Sequence, residues 1–210
     1  MTRTAVIFDL GGVVFPSPFE AFDLYDSRNS LEVGTTRSII RTSSETGAWA
    51  ALERGELTTA DFHAALEVEA ASVGVRIDAA RVMATIGEAG GARPAMLHAI
   101  EQLRKHKYKV GALTNNWADD RGETTPGGFG ALEIFDTIVE SAKVGLRKPD
   151  PRIYQLVCEQ LGVTPHECVF LDDLGINLKP ARAMGMATVK VVDHHEALRE
   201  LGLIVNVRLH

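Results

Sequence analysis

Asp9, Asp172 and Asp173, together with Lys148 and the Thr114-Asn115 pair, are the residues of this 210-residue chain whose types could do chemistry in concert. Three carboxylates brought to one place repel one another unless a cation sits among them. With oxygen ligands only, and no Cys or His beside them in sequence, the cation implied is hard and divalent, Mg²⁺ before any transition metal. Lys148 adds a fixed positive charge. The Thr114 hydroxyl, the Asn115 amide and adjacent backbone N–H groups can hydrogen-bond phosphoryl oxygens. Such a set is what phosphoryl transfer requires.

These residues lie far apart in sequence, so the fold has to gather them. Short apolar runs rich in β-branched residues recur at 4–8, 110–114, 137–139, 169–171 and 187–192. Apolar character on both faces predicts buried parallel strands. Helical patterns alternate with them at 94–105, where Met96, Leu97, Ile100 and Leu103 share a face, and at 151–161 and 176–184. The rhythm predicts an α/β fold with a doubly wound, Rossmann-like parallel sheet. Asp9, Thr114, Lys148 and the Asp172-Asp173 pair each follow or end a strand, and ligands in such sheets bind outside the carboxyl ends of the strands.

The rhythm breaks once. Residues 19–88 contain no strand pattern but several amphipathic helical stretches, among them 46–54 and 59–71, and Thr58 followed by Asp61 reads as a helix-start box. Pro16-Ser17-Pro18 and the glycines at 87, 90 and 91 punctuate its ends. The expected organisation is an α/β core of residues 1–17 and 90–210 with an α-helical cap, 18–89, inserted after the first strand.

Composition excludes other classes. With 45% hydrophobic and 24% charged residues the chain is neither collagen-like nor disordered. A net charge of −6 offers no long-range attraction to nucleic acid or anionic lipid. The absence of a long apolar run and of a secretory pattern leads to the expectation of a cytoplasmic protein with no membrane partner. Cys158 and Cys168 are too few for a disulfide framework or a zinc site and read as core.

Four segments carry a family likeness: Ile7-Phe8-Asp9-Leu10-Gly11-Gly12-Val13, Leu113-Thr114-Asn115-Asn116-Trp117, Gly145-Leu146-Arg147-Lys148-Pro149-Asp150 and Phe170-Leu171-Asp172-Asp173-Leu174-Gly175-Ile176-Asn177. In that order they resemble the four motifs of the haloacid dehalogenase-like hydrolases. Residues 117–121 and 177–182 make the chain most similar to the N-terminal phosphatase domain of soluble epoxide hydrolases. The resemblance implies a Mg²⁺-dependent phosphatase of a small phosphorylated metabolite, with Asp9 as a nucleophile that forms an aspartyl-phosphate. It implies that Asp9, the Gly11 carbonyl and Asp173 hold the metal. Asp172 would tune the site from beside it, and Thr114, Asn115 and Lys148 would cradle the phosphoryl group; Asn177 either joins Asp172 there or simply faces the start of the following helix.

One position departs from the pattern. Most phosphatases of this superfamily carry a second Asp two residues after the nucleophile, which protonates the leaving oxygen; this chain has Gly11. Glycine keeps a main-chain carbonyl for the metal and deletes the acid/base, worth about 10²- to 10⁴-fold in rate. Phosphates with good leaving groups, such as aryl, acyl or anomeric sugar phosphates, are therefore the expected substrates. A 2-haloacid dehalogenase would use the same Asp without the paired carboxylates, and a binding module would have lost activity through Gly11.

Other residues read more plainly. Asp172-Asp173 can cap the helix that follows, Asp119, Asp120 and Arg121 suit a surface ion-pair network, and Gly127-Gly128-Phe129-Gly130 lacks the Lys and Ser/Thr of a phosphate-binding loop. His194-His195 have no third ligand nearby. Trp49, Phe62 and Leu66 fit packing within the cap, and Arg28, Arg37 and Arg41 are its candidate specificity residues.

Overall fold

The computed structural model describes residues 2–42, 45–88, 90–118 and 132–209. Asp119, Asp120, Arg121 and Gly127 to Gly130 lie outside the described residues. Five strands form one sheet in the order β3-β2-β1-β4-β5: β1 Ala5–Phe8, β2 Lys109–Thr114, β3 Thr137–Glu140, β4 Cys168–Asp172 and β5 Ala187–Lys190. All pairings are parallel. Each predicted strand is present. The last stops at Lys190, two residues short of the expected end, with the Val191 N–H adding one further bond to the Asp172 carbonyl at 3.1 Å.

Between β1 and the next strand lie α1 Pro18–Arg28, α2 Thr35–Thr42, α3 Ala48–Glu53, α4 Thr59–Ser72, α5 Ala79–Gly87 and α6 Pro94–Lys105. Then come α7 Ser141–Val144, α8 Pro151–Leu161, α9 Gly175–Ala183 and α10 His194–Val205. Local sequence explains the ends. Pro opens α1, α6 and α8, where its missing N–H costs nothing. Thr58 caps α4 by accepting the Asp61 N–H at 3.1 Å, as its spacing predicts. His194-His195 simply begin α10, capped by Asp193.

The period-2 alternation of the strands sorts their side chains onto two faces. Val6, Phe8, Val169 and Leu171 pack under α6 and α10 with Met96, Ile100, Leu103 and Leu201. Ala5, Ile7, Leu113 and Phe170 pack under α8 and α9 with Tyr154, Val157, Cys158 and Leu178. Cys158 and Cys168 are both free, buried parts of this second cluster. A third apolar cluster is built within α1 to α5, with Phe22, Trp49, Phe62 and Leu66 at its centre.

Strand order reverses at β1, which feeds β2 on one side and has β4 on the other. The register pairs Phe8 with Leu171 and with Ala112, and the Asp9 N–H continues the β1–β4 ladder to the Leu171 carbonyl at 2.9 Å. Asp9 and Asp172 thus stand level, both on the side of Ile7 and Phe170, at the crevice where such sheets bind ligands.

Candidate active site

At the ends of β1 and β4, carboxylate oxygens of Asp9, Asp172 and Asp173 lie within 4.8 Å of one another. Lys148 completes the group: its Nζ donates to Asp9 Oδ2 at 2.8 Å and to Asp172 Oδ2 at 2.7 Å. The ammonium is 1% exposed and sits 5.7 Å from the centroid of the Phe170 ring. Part of the cation that the carboxylates demand is therefore the protein's own lysine. Three negative charges against one positive still leave a net charge of −2 at the cluster, which matches a divalent ion.

Each carboxylate is differently held. Asp9 Oδ1 accepts its neighbour's backbone N–H, from Leu10 at 2.7 Å. Burial pushes the Asp9 carboxyl well above the usual range; Lys148 opposes this and the charges of Asp172 and Asp173 add to it. Asp172 is fully buried and saturated, accepting from Lys148, from Leu174 N at 2.8 Å and from Asn177 Nδ2 at 3.1 Å on both oxygens. Asp173 is half-buried, and burial and the nearby Asp172 charge raise its carboxyl to about 6, against Lys148 and a hydrogen bond from Ser17. Lys148 is raised as well: burial pulls it down, but Asp172 and Asp9 outweigh that.

One sequence expectation needs correction here. The acidic pair does not cap α9: its N-cap is Leu174 with no side-chain cap bond, and Asp172 instead fixes the turn before the helix. Asn177 holds Asp172, while its carbonyl accepts the buried Tyr154 hydroxyl at 2.8 Å. Asn115 lines the cavity with its amide already bonded within the protein. Its Oδ1 accepts Lys148 N at 2.8 Å, and its Nδ2 donates to the Lys148 carbonyl at 3.1 Å and to Glu53 at 3.3 Å. Thr114 is buried at the end of β2, its hydroxyl making only a long 3.4 Å bond to the Asn115 carbonyl. Gly11 lies beside Asp9 on the cavity surface, and a Cβ placed there would meet Pro18 Cδ at 3.3 Å.

Three contributors were not singled out from sequence. Gly12 holds φ +78°, and a Cβ on it would fall 2.3 Å from Asp173 Oδ2. Its missing side chain is the space that Asp173 occupies. Ser17, the N-cap of α1, bonds Asp173. Glu53 reaches in from α3. The signal for Gly12 was present in the adjacent glycines after the strand; nothing local marks Ser17 or Glu53.

Asp9, Lys148 and Asp173 line one end of a cavity of about 370 Å³, while Asp172 is fully buried. The cavity walls are largely apolar, with Phe19 and Phe22 from α1, Trp49 from α3, and Trp117 and Leu174 from the loops after β2 and β4. Trp49 thus packs within the helical cluster and faces the cavity too. Of Arg28, Arg37 and Arg41 only Arg41 lines it; Arg28 pairs with Glu88 and Arg37 with Asp23. Among the described residues no helix is long and apolar enough to cross a membrane.

The family profile of haloacid dehalogenase-like hydrolases matches residues 4–185. The chain is 36% identical to mouse acyl-CoA dehydrogenase family member 10 over 98% of its own length, and 33% identical to pig bifunctional epoxide hydrolase 2 over 100%. It spans only 19% and 40% of those two relatives. Similarity to the sesquiterpene phosphatase astK of Aspergillus oryzae is 31% and covers 97% of both chains. Among solved structures, a HAD-family enzyme of Bacteroides thetaiotaomicron in complex with magnesium and inorganic phosphate superposes with a TM-score of 0.61 at 23% identity, over 90% of this chain and 93% of that one. That likeness supports the α/β fold.

Proposed function

The chain belongs to the haloacid dehalogenase-like hydrolases, and from that premise we propose that it is a Mg²⁺-dependent phosphatase acting on a small phosphorylated metabolite through an aspartyl-phosphate. The observation that carries this reading is the cluster at one end of the cavity: three carboxylates within 4.8 Å of one another, with one buried ammonium bonded to two of them. The donor set is all oxygen, carries excess negative charge and has its half-buried member, Asp173, at the cavity surface. These are the properties magnesium selects. Asp9, Asp173 and the Gly11 carbonyl would hold it, and when bound it supplies neutralisation of phosphoryl charge.

Each residue then has a task. The Leu10 N–H and the Lys148 ammonium fix the rotation of the Asp9 carboxylate. An Asp9 oxygen attacks phosphorus, the bond from phosphorus to the leaving oxygen breaks, and that oxygen departs with the bonding electron pair. Water then attacks the acyl phosphate, releasing inorganic phosphate and restoring Asp9. Lys148 offsets charge on the phosphoryl oxygens throughout, and Asp172, saturated by Asn177 and Leu174, holds Lys148 in place. Asn115 serves by clamping the Lys148 backbone, and Thr114 lines the end of β2 beside it. Residues 18–89 act as a cap over the core of 1–17 and 90–210, and their aromatic wall favours a leaving group with an apolar body, in keeping with the name of the Aspergillus relative.

Gly11 leaves the leaving group without a side-chain acid at that position, so an aryl phosphate should turn over about 10²- to 10⁴-fold faster than an alkyl phosphate. Phosphate release from p-nitrophenyl phosphate and from glycerol phosphate, each with Mg²⁺ and with EDTA, checks both points. Equal rates on the two esters would assign the proton donor to another residue. Release of halide from a 2-haloacid without metal would replace the phosphatase reading with the carbon-directed one.

A further inference from the structure

Glu53 ends α3 and is 6% exposed, yet four donors converge on its carboxylate. Oε1 accepts the Trp49 indole N–H at 2.9 Å. Oε2 accepts Arg147 Nε at 2.7 Å, Arg147 Nη2 at 2.7 Å and Asn115 Nδ2 at 3.3 Å. Trp49 belongs to the same helix, whereas Asn115 and Arg147 belong to the loops after β2 and β3. The carboxylate therefore joins the helical segment to the two loops that carry the phosphate-site motifs.

Asn115 passes the connection on. Its amide is bonded to both the N–H and the carbonyl of Lys148, and Lys148 cannot shift along its loop without breaking that pair. A second observation places α3 tightly against the same region. Gly55, just beyond the helix, has φ +70°, and a Cβ there would fall 2.7 Å from the Ala142 carbonyl, so the two backbones abut with no room for a side chain.

We propose that Glu53 is a positioning residue for Lys148, a latch from α3 that fixes Asn115 and Arg147 and thereby places the ammonium against Asp9 only when α3 is seated on the core. The inference rests on the phosphatase reading for its kinetic consequence and on the geometry alone for its structural one. A buried, multiply bonded charge is a poor way to add stability compared with apolar packing. It is a sharp way to require one geometry, because a withdrawn α3 leaves Arg147 without this carboxylate and the Asn115 amide tethered only to the Lys148 backbone.

The full chain with Mg²⁺ and p-nitrophenyl phosphate provides the test, beside an Asp9→Asn control. Glu53→Ala should lower kcat about ten- to a hundredfold while KM moves less than about threefold, since a small misplacement of a charge at the reacting group acts on the transition state. Glu53→Gln, which keeps one acceptor oxygen, should recover part of that loss. Glu53→Ala combined with Asn115→Ala should be no slower than Asn115→Ala alone. Independently of any activity, hydrogen exchange at the Lys148 amide should speed up in Glu53→Ala or, should that variant not fold, in Glu53→Gln. Emission should change as well, because the chain's only two tryptophans, Trp49 on α3 and Trp117 on the core loop, stand with ring centroids 5.6 Å apart. Additive losses in the double variant, or wild-type exchange at Lys148 in a folded Glu53 variant, overturn the latch. Wild-type turnover by Asp9→Asn overturns the phosphatase mechanism instead, and the exchange experiment still decides the latch.

Discussion

Lys148 and Arg147 are neighbours in the chain, and each enters a buried ionic cluster, but the two clusters are opposite in construction. Around Arg147, among the described residues, a guanidinium meets the Glu53 carboxylate, whose other lone pairs are taken by Trp49 and Asn115. Around Lys148 three carboxylates face one ammonium, and two of them, Asp9 and Asp173, are pushed toward protonation by burial and mutual repulsion. In the first arrangement donors from Arg147, Trp49 and Asn115 all meet the Glu53 carboxylate, and its bonds join α3 to the loops after β2 and β3. The second is short of positive charge, and a site left in that condition by folding is one that a cation and a phosphoryl group can complete.

The largest effects should separate the members of the second cluster from one another. Asp9→Asn is expected to cut phosphate release by at least about 10⁴-fold. The melting temperature without metal should nevertheless hold or rise, because a carboxyl raised by burial works against folding at neutral pH and the amide does not. Lys148→Met should lose activity comparably and also destabilise the metal-free protein by about 3–5 kcal/mol, since Asp9 and Asp172 would face each other without their counter-ion. Calorimetric unfolding of both variants in EDTA decides it. A Lys148→Met protein as stable as wild type would mean that the ammonium is not what makes the cluster tolerable.

A smaller effect concerns pH. A carboxyl whose folded pKa lies above its unfolded value contributes stability below the unfolded pKa and forfeits it as pH rises through the folded one. For Asp173 that window runs from 3.8 to about 6. In EDTA the melting temperature should therefore fall by something on the order of 5 °C across this interval relative to the Asp173→Asn variant. Saturating Mg²⁺, which favours the ionised form, should abolish the difference at pH 7. A melting curve whose pH dependence is the same with and without Mg²⁺ would remove Asp173 from the metal-binding set. The Glu53–Arg147 pair supplies the contrast, because Glu53 is already bonded to Arg147, Trp49 and Asn115.

The asymmetry between the clusters also explains what was legible in the sequence. Asp9, Lys148 and the Asp172-Asp173 pair are readable because each follows a strand, and parallel strands deliver their ends to one edge. The helices at Pro94–Lys105 and Pro151–Leu161 are readable because Pro and the apolar spacing mark both ends and the buried face. Glu53 was not readable. A glutamate closing a short amphipathic helix looks like any solvated residue, and its partners lie 62 and 94 positions away. Asn115 is readable as a site residue from its place after β2, but its bonds to Lys148 and Glu53 are visible only in three dimensions. The helices α2, α5 and α7, of 8, 9 and 4 residues, are too short for the apolar period to bound them.

The finest comparison sets two glycines against each other. Gly12 and Gly34 both hold positive φ, +78° and +94°, so an alanine at either strains the backbone, by about 1 kcal/mol or somewhat more. They differ in what the new methyl meets: at Gly34 nothing lies within 4 Å, whereas at Gly12 the Asp173 carboxylate is already there, at 2.3 Å. Gly34→Ala should therefore cost stability alone. Gly12→Ala should cost a similar amount and in addition displace Asp173, raising the Mg²⁺ concentration for half-maximal activity by roughly tenfold, the scale of losing one well-placed ligand contact. Titrating activity against Mg²⁺ for the pair isolates the second effect from the first. Equal Mg²⁺ requirements in the two variants would mean that Asp173 can move without consequence for the metal, and the site would then have to be rebuilt around Asp9 and Asp172.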